Sequence, residues 1–121
     1  MMNREDLIYK FVFDELSKDN SGHDHLHAMR VVKNARMILK TENGDENVII
    51  TACYLHDCID KKLFEDITLQ EKKVICLLQS LQYEEKEIEE VLYIMNNISF
   101  SSGKSTGLTN RNAQIVCDAD R

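Results

Sequence analysis

Three histidines stand within five residues in the segment GHDHLHAMRV, at His23, His25 and His27, and a fourth, His56, is followed directly by Asp57. Imidazole nitrogens and carboxylate oxygens are donors that borderline to hard divalent ions accept, so these residues raise the chemistry of Mn, Fe, Co, Ni, Zn or Mg. On a helix, His23 and His27 are four apart and share a face, whereas His25 points elsewhere, toward solvent. The segment VCDADR adds Asp118 and Asp120 to an otherwise apolar stretch, where two carboxylates are costly unless cations or a metal pair with them. One histidine of the first cluster, the His56–Asp57 pair and one of the two late carboxylates would give four ligands from three separate segments. A set that leaves coordination positions open suits catalysis more than structure. Taken singly, each residue is as readily a solvated or hydrogen-bonded structural side chain; the combination carries the argument.

The elements that must position these residues read as helices. Proline is absent and glycine occurs four times, which suits helices joined by short polar turns. Leu7, Ile8, Phe11, Val12 and Leu16 recur at helical spacing until SKDNSG stops them. A second helix opens at Ser21, with Asp24 completing a capping box, and runs through Leu26, Met29, Val32, Ala35, Ile38 and Leu39 to the break at TENGDEN. A third covers VIITACYLHDCI; its β-branched start would also suit a strand, but no partner strand is in sight. Thr68 and Glu71 are expected to cap a fourth helix with Val74, Leu77, Leu78 and Leu81, and Ile88, Val91, Leu92 and Met95 define a fifth. SFSSGKSTGLTN reads as a loop and RNAQIVCDADR as a short final helix. SGKST ends like a phosphate-cradling loop, but the position five before Gly103, which must be glycine, is Ile98, and no strand precedes it. A polar loop is the better reading.

With 121 residues, 43% of them hydrophobic, the chain is expected to build one core and one domain spanning 1–121. A formal charge of −6 argues against nucleic-acid binding, which needs clustered Lys and Arg, and means that an anionic small molecule requires a local positive centre. No apolar run reaches the roughly 20 residues needed to cross a bilayer, and MMNREDLIYKF lacks the pattern of a signal peptide, so a cytoplasmic location and no membrane partner are expected. Cys53, Cys58, Cys76 and Cys117 show no C-x-x-C spacing and read as reduced packing residues.

Taken in order, GHDHLHAMRV, YLHDCIDKKLFED, NNISFSSGKS and QIVCDADR resemble the motifs of the HD-domain metal-dependent phosphohydrolases, most closely a bacterial subgroup with an H-D-x-x-H-x-x-R-V start and a D-A-D-R end. The resemblance spans residues 21 to 121. It implies an all-α, compact HD-domain-like bundle of about five to six helices. The resembling enzymes continue past D-A-D-R with further helices, so a bundle truncated at its C-terminal end is expected, with Asp120 the least firmly held ligand because a helix ending there frays. The resemblance further implies a divalent metal held by His27, His56, Asp57 and Asp120, with Asp118 the second choice for the fourth place. His23, one turn before His27, would line the pocket and orient a substrate phosphate. Lys62 matches a lysine that the subgroup places after its His-Asp pair; beside Asp60 it would neutralise phosphate charge or tune a proton donor. Arg30, one turn beyond His27, would bond a phosphate or steer a carboxylate, or else make a surface ion pair. Ser99 and Ser101 are candidate phosphate donors or plain loop serines. The chain departs from the pattern at Lys61, where many relatives carry an acid, and at Ile98, where some carry histidine.

The expected reaction is hydrolysis of a phosphoester or phosphoanhydride by metal-activated water, with Asp57 steering or deprotonating the water and His23, Arg30 and Lys62 stabilising phosphoryl charge. The implied partner is a small phosphorylated molecule, a nucleotide foremost, and a homo-oligomer would cover apolar surface. The competing class is a degenerate HD-fold module that binds metal, a nucleotide or a protein partner without turnover.

Overall fold

Ile8, Val12 and Leu16 are buried along one side of α1 (Arg4–Leu16), as their spacing predicts. The structure, a computed structural model, describes residues 3–17, 25–60, 64–98 and 110–120. Among these residues α1 is followed by α2 (His25–Ile38), α3 (Glu46–Leu55), a 3-10 turn (His56–Ile59), α4 (Ile67–Ser80), α5 (Glu85–Ile98) and α6 (Arg111–Asp120), with no strand. The chain is all-α, as expected. The expected capping box at Ser21 and Asp24 and most of the loop before α6 lie outside the described residues.

The run that could have passed for a strand is α3, buried continuously from Val48 to Leu55. A helix that is apolar all round belongs at the centre of a bundle, and α3 packs against α1, α2, α5 and α6. The apolar pattern continues past Leu55, but the winding tightens there into the 3-10 turn, all four of whose residues are buried. That turn packs against α1, α4 and α5.

Caps set the helix starts. Asn3, Asp45 and Asp66 accept hydrogen bonds from the amides of Asp6, Val48 and Leu69, at 2.8, 3.3 and 2.9 Å. Asp66 thus takes the role expected of Thr68, which lies inside α4 together with Glu71. An aspartate just ahead of the first turn is at least as good an acceptor as threonine, so the helix begins two residues earlier. Asn110 caps α6 through the Ala113 amide at 3.0 Å.

Two details seat α6 on the bundle. A Cβ on Gly44 would come within 2.6 Å of Ile49 Cδ1 and 2.9 Å of Ile115 Cδ1, so a larger residue would displace these side-chain ends where the α2–α3 turn meets α6. Beside it, the Asp45 amide donates to Asn112 Oδ1 at 2.9 Å. Cys53, Cys58 and Cys117 are buried, consistent with packing, whereas Cys76 is exposed on α4 and packing does not account for it.

Candidate metal centre

His27 projects from the first turns of α2, His56 and Asp57 open the 3-10 turn, and Asp120 ends α6. The structure brings these four side chains together. His27 Nε2 lies 3.1 Å from Asp120 Oδ1 and 3.9 Å from Asp57 Oδ2, and His56 Nε2 lies 3.3 Å from both Asp57 Oδ1 and Asp120 Oδ1. Donor atoms of His27, His56 and Asp57 all fall within 4.8 Å of one another, and Asp120 joins them through the two imidazoles. Ligands about 2.0–2.2 Å from a common ion are at most about 4.4 Å apart, a limit that the four imidazole–carboxylate distances of 3.1–3.9 Å meet.

His56 shows how its segment serves the site. Its Nδ1 meets the Cys53 carbonyl at 2.8 Å; a carbonyl only accepts, so Nδ1 carries the proton and, in the neutral ring, Nε2 is left with its lone pair. That Nε2 is buried and makes no well-directed hydrogen bond, although two carboxylates are near. Burial works against charge on this ring, but the Asp120 and Asp57 carboxylates outweigh it and lift the imidazole to about 9. Asp120 shows the converse: burial opposes its charge, while bonding to His27 and His56 holds its carboxyl well below the usual range. With both imidazoles neutral, as metal ligation requires, the two carboxylates leave about two negative charges to be balanced, and a divalent ion fits that donor set.

Asp118, the second choice for the fourth place, is exposed on α6 away from the cluster, because residues two apart on a helix face different ways. Asp120 instead extends the buried stripe of Ala113, Val116 and Cys117. Its helix end is also less loose than a bare terminus, since Asn34 Nδ2 of α2 donates to the Ala119 carbonyl at 3.0 Å. Arg30 is exposed one turn beyond His27, and Asp60 is half-buried at the end of the 3-10 turn, where its carbonyl accepts from the Phe64 amide at 3.1 Å. His23, Lys62, Ser99 and Ser101 lie outside the described residues, as does Lys61.

His25 departs from the solvent-facing position expected of it. It is half-buried against α1, its ring 4.7 Å from that of Phe13 and 5.9 Å from that of Tyr9, and it docks α2 onto α1. Asn34 and Gln70 are the polar residues that pattern reading passed over. Gln70 had a signal: it sits four before Val74 and eight before Leu78, on the stripe that α4 buries.

A cavity of about 400 Å³ elsewhere, lined by Arg4, Glu5, Arg36, Tyr54 and Tyr83 among others, contains none of the four clustered residues. Several of its polar groups are hydrogen-bonded within the protein. Arg36 and the Tyr54 hydroxyl both donate to Glu5, Arg4 donates to the Leu81 and Gln82 carbonyls, and Thr51 bonds Tyr83.

Comparison with known proteins gives the same picture of the fold. The sequence model of the HD domain matches residues 25–121. The uncharacterized protein YpgQ of Bacillus subtilis (strain 168) is 29% identical over 99 residues, which cover 82% of this chain and 48% of that protein. A crystal structure of a Lactobacillus plantarum protein superposes with a TM-score of 0.83 at 26% identity, over 99% of this chain and 57% of the other. The structure of Bacillus subtilis YpgQ in complex with ADP superposes with a TM-score of 0.78 at 30% identity, over 97% of this chain and 56% of that one. The chain therefore spans about half the length of the curated relative it matches.

Proposed function

The chain belongs to the HD domain family, and on that premise we propose that it is a metal-dependent phosphohydrolase acting on a nucleotide or a related phosphoester or phosphoanhydride. His27, His56, Asp57 and Asp120 would hold the divalent ion, whether Mn, Fe, Co, Ni, Zn or Mg. When bound, such an ion acidifies water and polarises a phosphoryl oxygen. Asp57 has one carboxylate oxygen near each imidazole, and in this reading it orients the attacking water and takes up its proton. A bond forms between the water oxygen and phosphorus, the bond to the leaving oxygen breaks, and that oxygen departs with the electron pair. Arg30, with His23 and Lys62, balances the charge on the phosphoryl oxygens, and Asp60, Ser99 and Ser101 contact the substrate.

The observation that carries this reading is the buried His56 Nε2, aimed between two carboxylates without a well-directed hydrogen bond. The nucleotide class is supported by the ADP complex of Bacillus subtilis YpgQ. No described helix is long and apolar enough to cross a membrane, and action in the cytoplasm is part of the proposal. So is self-association, supported by Leu26, Met29 and Met37, large apolar side chains exposed along α2.

Metal analysis of the purified protein, followed by phosphate release from a panel of nucleotides, tests the reading. Wild type is expected to carry a divalent ion and release phosphate, and His56→Ala to lose both. A second reading, a module that binds without turnover, draws on Ile98: it is buried in α5 and offers no polar group where some relatives have histidine. A bound ion with no phosphate released from any nucleotide selects it.

A further inference from the structure

The turn that carries His56 and Asp57 is held from behind by residues with no part in the ligand set. Gln70, only 4% exposed, donates from Nε2 to the Cys58 carbonyl at 3.0 Å and to Glu15 Oε1 at 3.1 Å. A carboxamide nitrogen has two protons, so both are committed. Glu15, near the end of α1 and 7% exposed, also accepts from Lys73 Nζ at 3.3 Å. The carbonyl that Gln70 grips belongs to the residue directly after Asp57. A 3-10 turn has poorer internal hydrogen-bond geometry than an α-helix, and the closing bond here, from the Asp60 amide to the Asp57 carbonyl, is 3.3 Å long. Such a turn has little stiffness of its own, and an external donor at its middle decides where its side chains point.

We propose that Gln70, oriented by Glu15, is a positioning residue for the cation site: by tying the Cys58 carbonyl to α4 and α1, it sets the direction in which His56 and Asp57 leave the turn. Two helices that supply none of the four clustered side chains thereby govern the geometry of the cluster. The inference rests on the metal-centre reading and adds a residue to it. A partner that orients ligands from outside the coordination sphere is worth about 10–100-fold in metal affinity when removed.

The test is calorimetric titration of Mn²⁺ into wild type, Gln70→Met and Glu15→Gln, each first shown by circular dichroism and a cooperative melt to be folded. Gln70→Met fills the same space without donors and is expected to bind Mn²⁺ about 10–100-fold more weakly. Glu15→Gln keeps an acceptor oxygen for Gln70 and is expected to stay within about threefold of wild type, a rescue that loss of general stability would not produce. Should Gln70→Met fail to fold, Gln70→Asn, which keeps the amide but withdraws it by one methylene, is judged by the same criterion. Equal Mn²⁺ affinity in wild type and the folded Gln70 variant overturns this proposal alone. A wild type that takes up no Mn²⁺ removes the metal-centre reading and this inference together.

Discussion

His56 faces two ways: one ring nitrogen is committed to its own helix end and the other to a pair of acids. In the cation-free protein, the carboxylates that lift the imidazole to about 9 make its proton a source of stability. That contribution is complete below the ordinary histidine value of 6.5, and it disappears as pH rises through about 9. A cation must displace the same proton, so cation affinity moves the opposite way, climbing by up to about tenfold per pH unit across that window and levelling above it. Mn²⁺ titrations and denaturant melts of chelated protein, run side by side from pH 6.5 to 9.5, are expected to diverge in this manner; curves that rise or fall together would contradict it. The two late carboxylates give a sharper contrast. Asp120→Asn is expected to weaken cation binding at least about tenfold, and Asp118→Asn, altering an exposed side chain, to leave it within about twofold. Equal losses in the two variants would mean that α6 is rotated from the position described.

Helix ends carry the next set of consequences. α4 closes in a Schellman arrangement, the Tyr83 amide reaching the Leu78 carbonyl at 3.0 Å and the Gln82 amide the Gln79 carbonyl at 3.0 Å. The left-handed position in that turn is Gln82, with φ of 65°, where a side chain is strained and glycine is not. Gln82→Gly is therefore expected to stabilise the protein by up to about 1 kcal/mol in urea unfolding; a loss would show that the Gln82 side chain, not only its carbonyl, is needed. At the other end of the site, Asn34→Ala is expected to cost about 1 kcal/mol and to speed amide exchange in the last turn of α6, with exchange in α3 unchanged. The helices themselves were legible from apolar spacing, because a bundle needs every helix to bury a stripe. The place where α3 gives way to a 3-10 turn was not, since Cys58 and Ile59 are as buried as the helix before them and leave no break in the pattern. Asp66 escaped notice as a cap because Thr68 and Glu71 offered a more familiar spacing two residues on.

Across the whole molecule, the cluster joins α2, the 3-10 turn and α6 around the buried α3, so that a shared cation would cross-link helices from both halves of the chain. A ligand that binds only the folded state stabilises it by about 2.7 kcal/mol at a hundred times its dissociation constant, or about 10 °C in melting temperature for a chain of this size. Differential scanning with and without a chelator measures this directly; coincident melts at saturating Mn²⁺ would remove the metal centre. The site was legible to the extent that its chemistry is: two imidazoles and a neighbouring acid are rare enough to stand out. The choice between Asp118 and Asp120 depended on the rotational phase of α6, which the stripe of Ala113, Val116 and Cys117 already encodes. Gln70 and Asn34 act through backbone carbonyls, and glutamine or asparagine on a helix looks like any solvated residue until a neighbouring helix is placed. The His27–Asp120 contact spans 93 positions. During vectorial synthesis the chain must have emerged past Asp120 before the two side chains can meet, so a shorter nascent segment would lack the fourth donor.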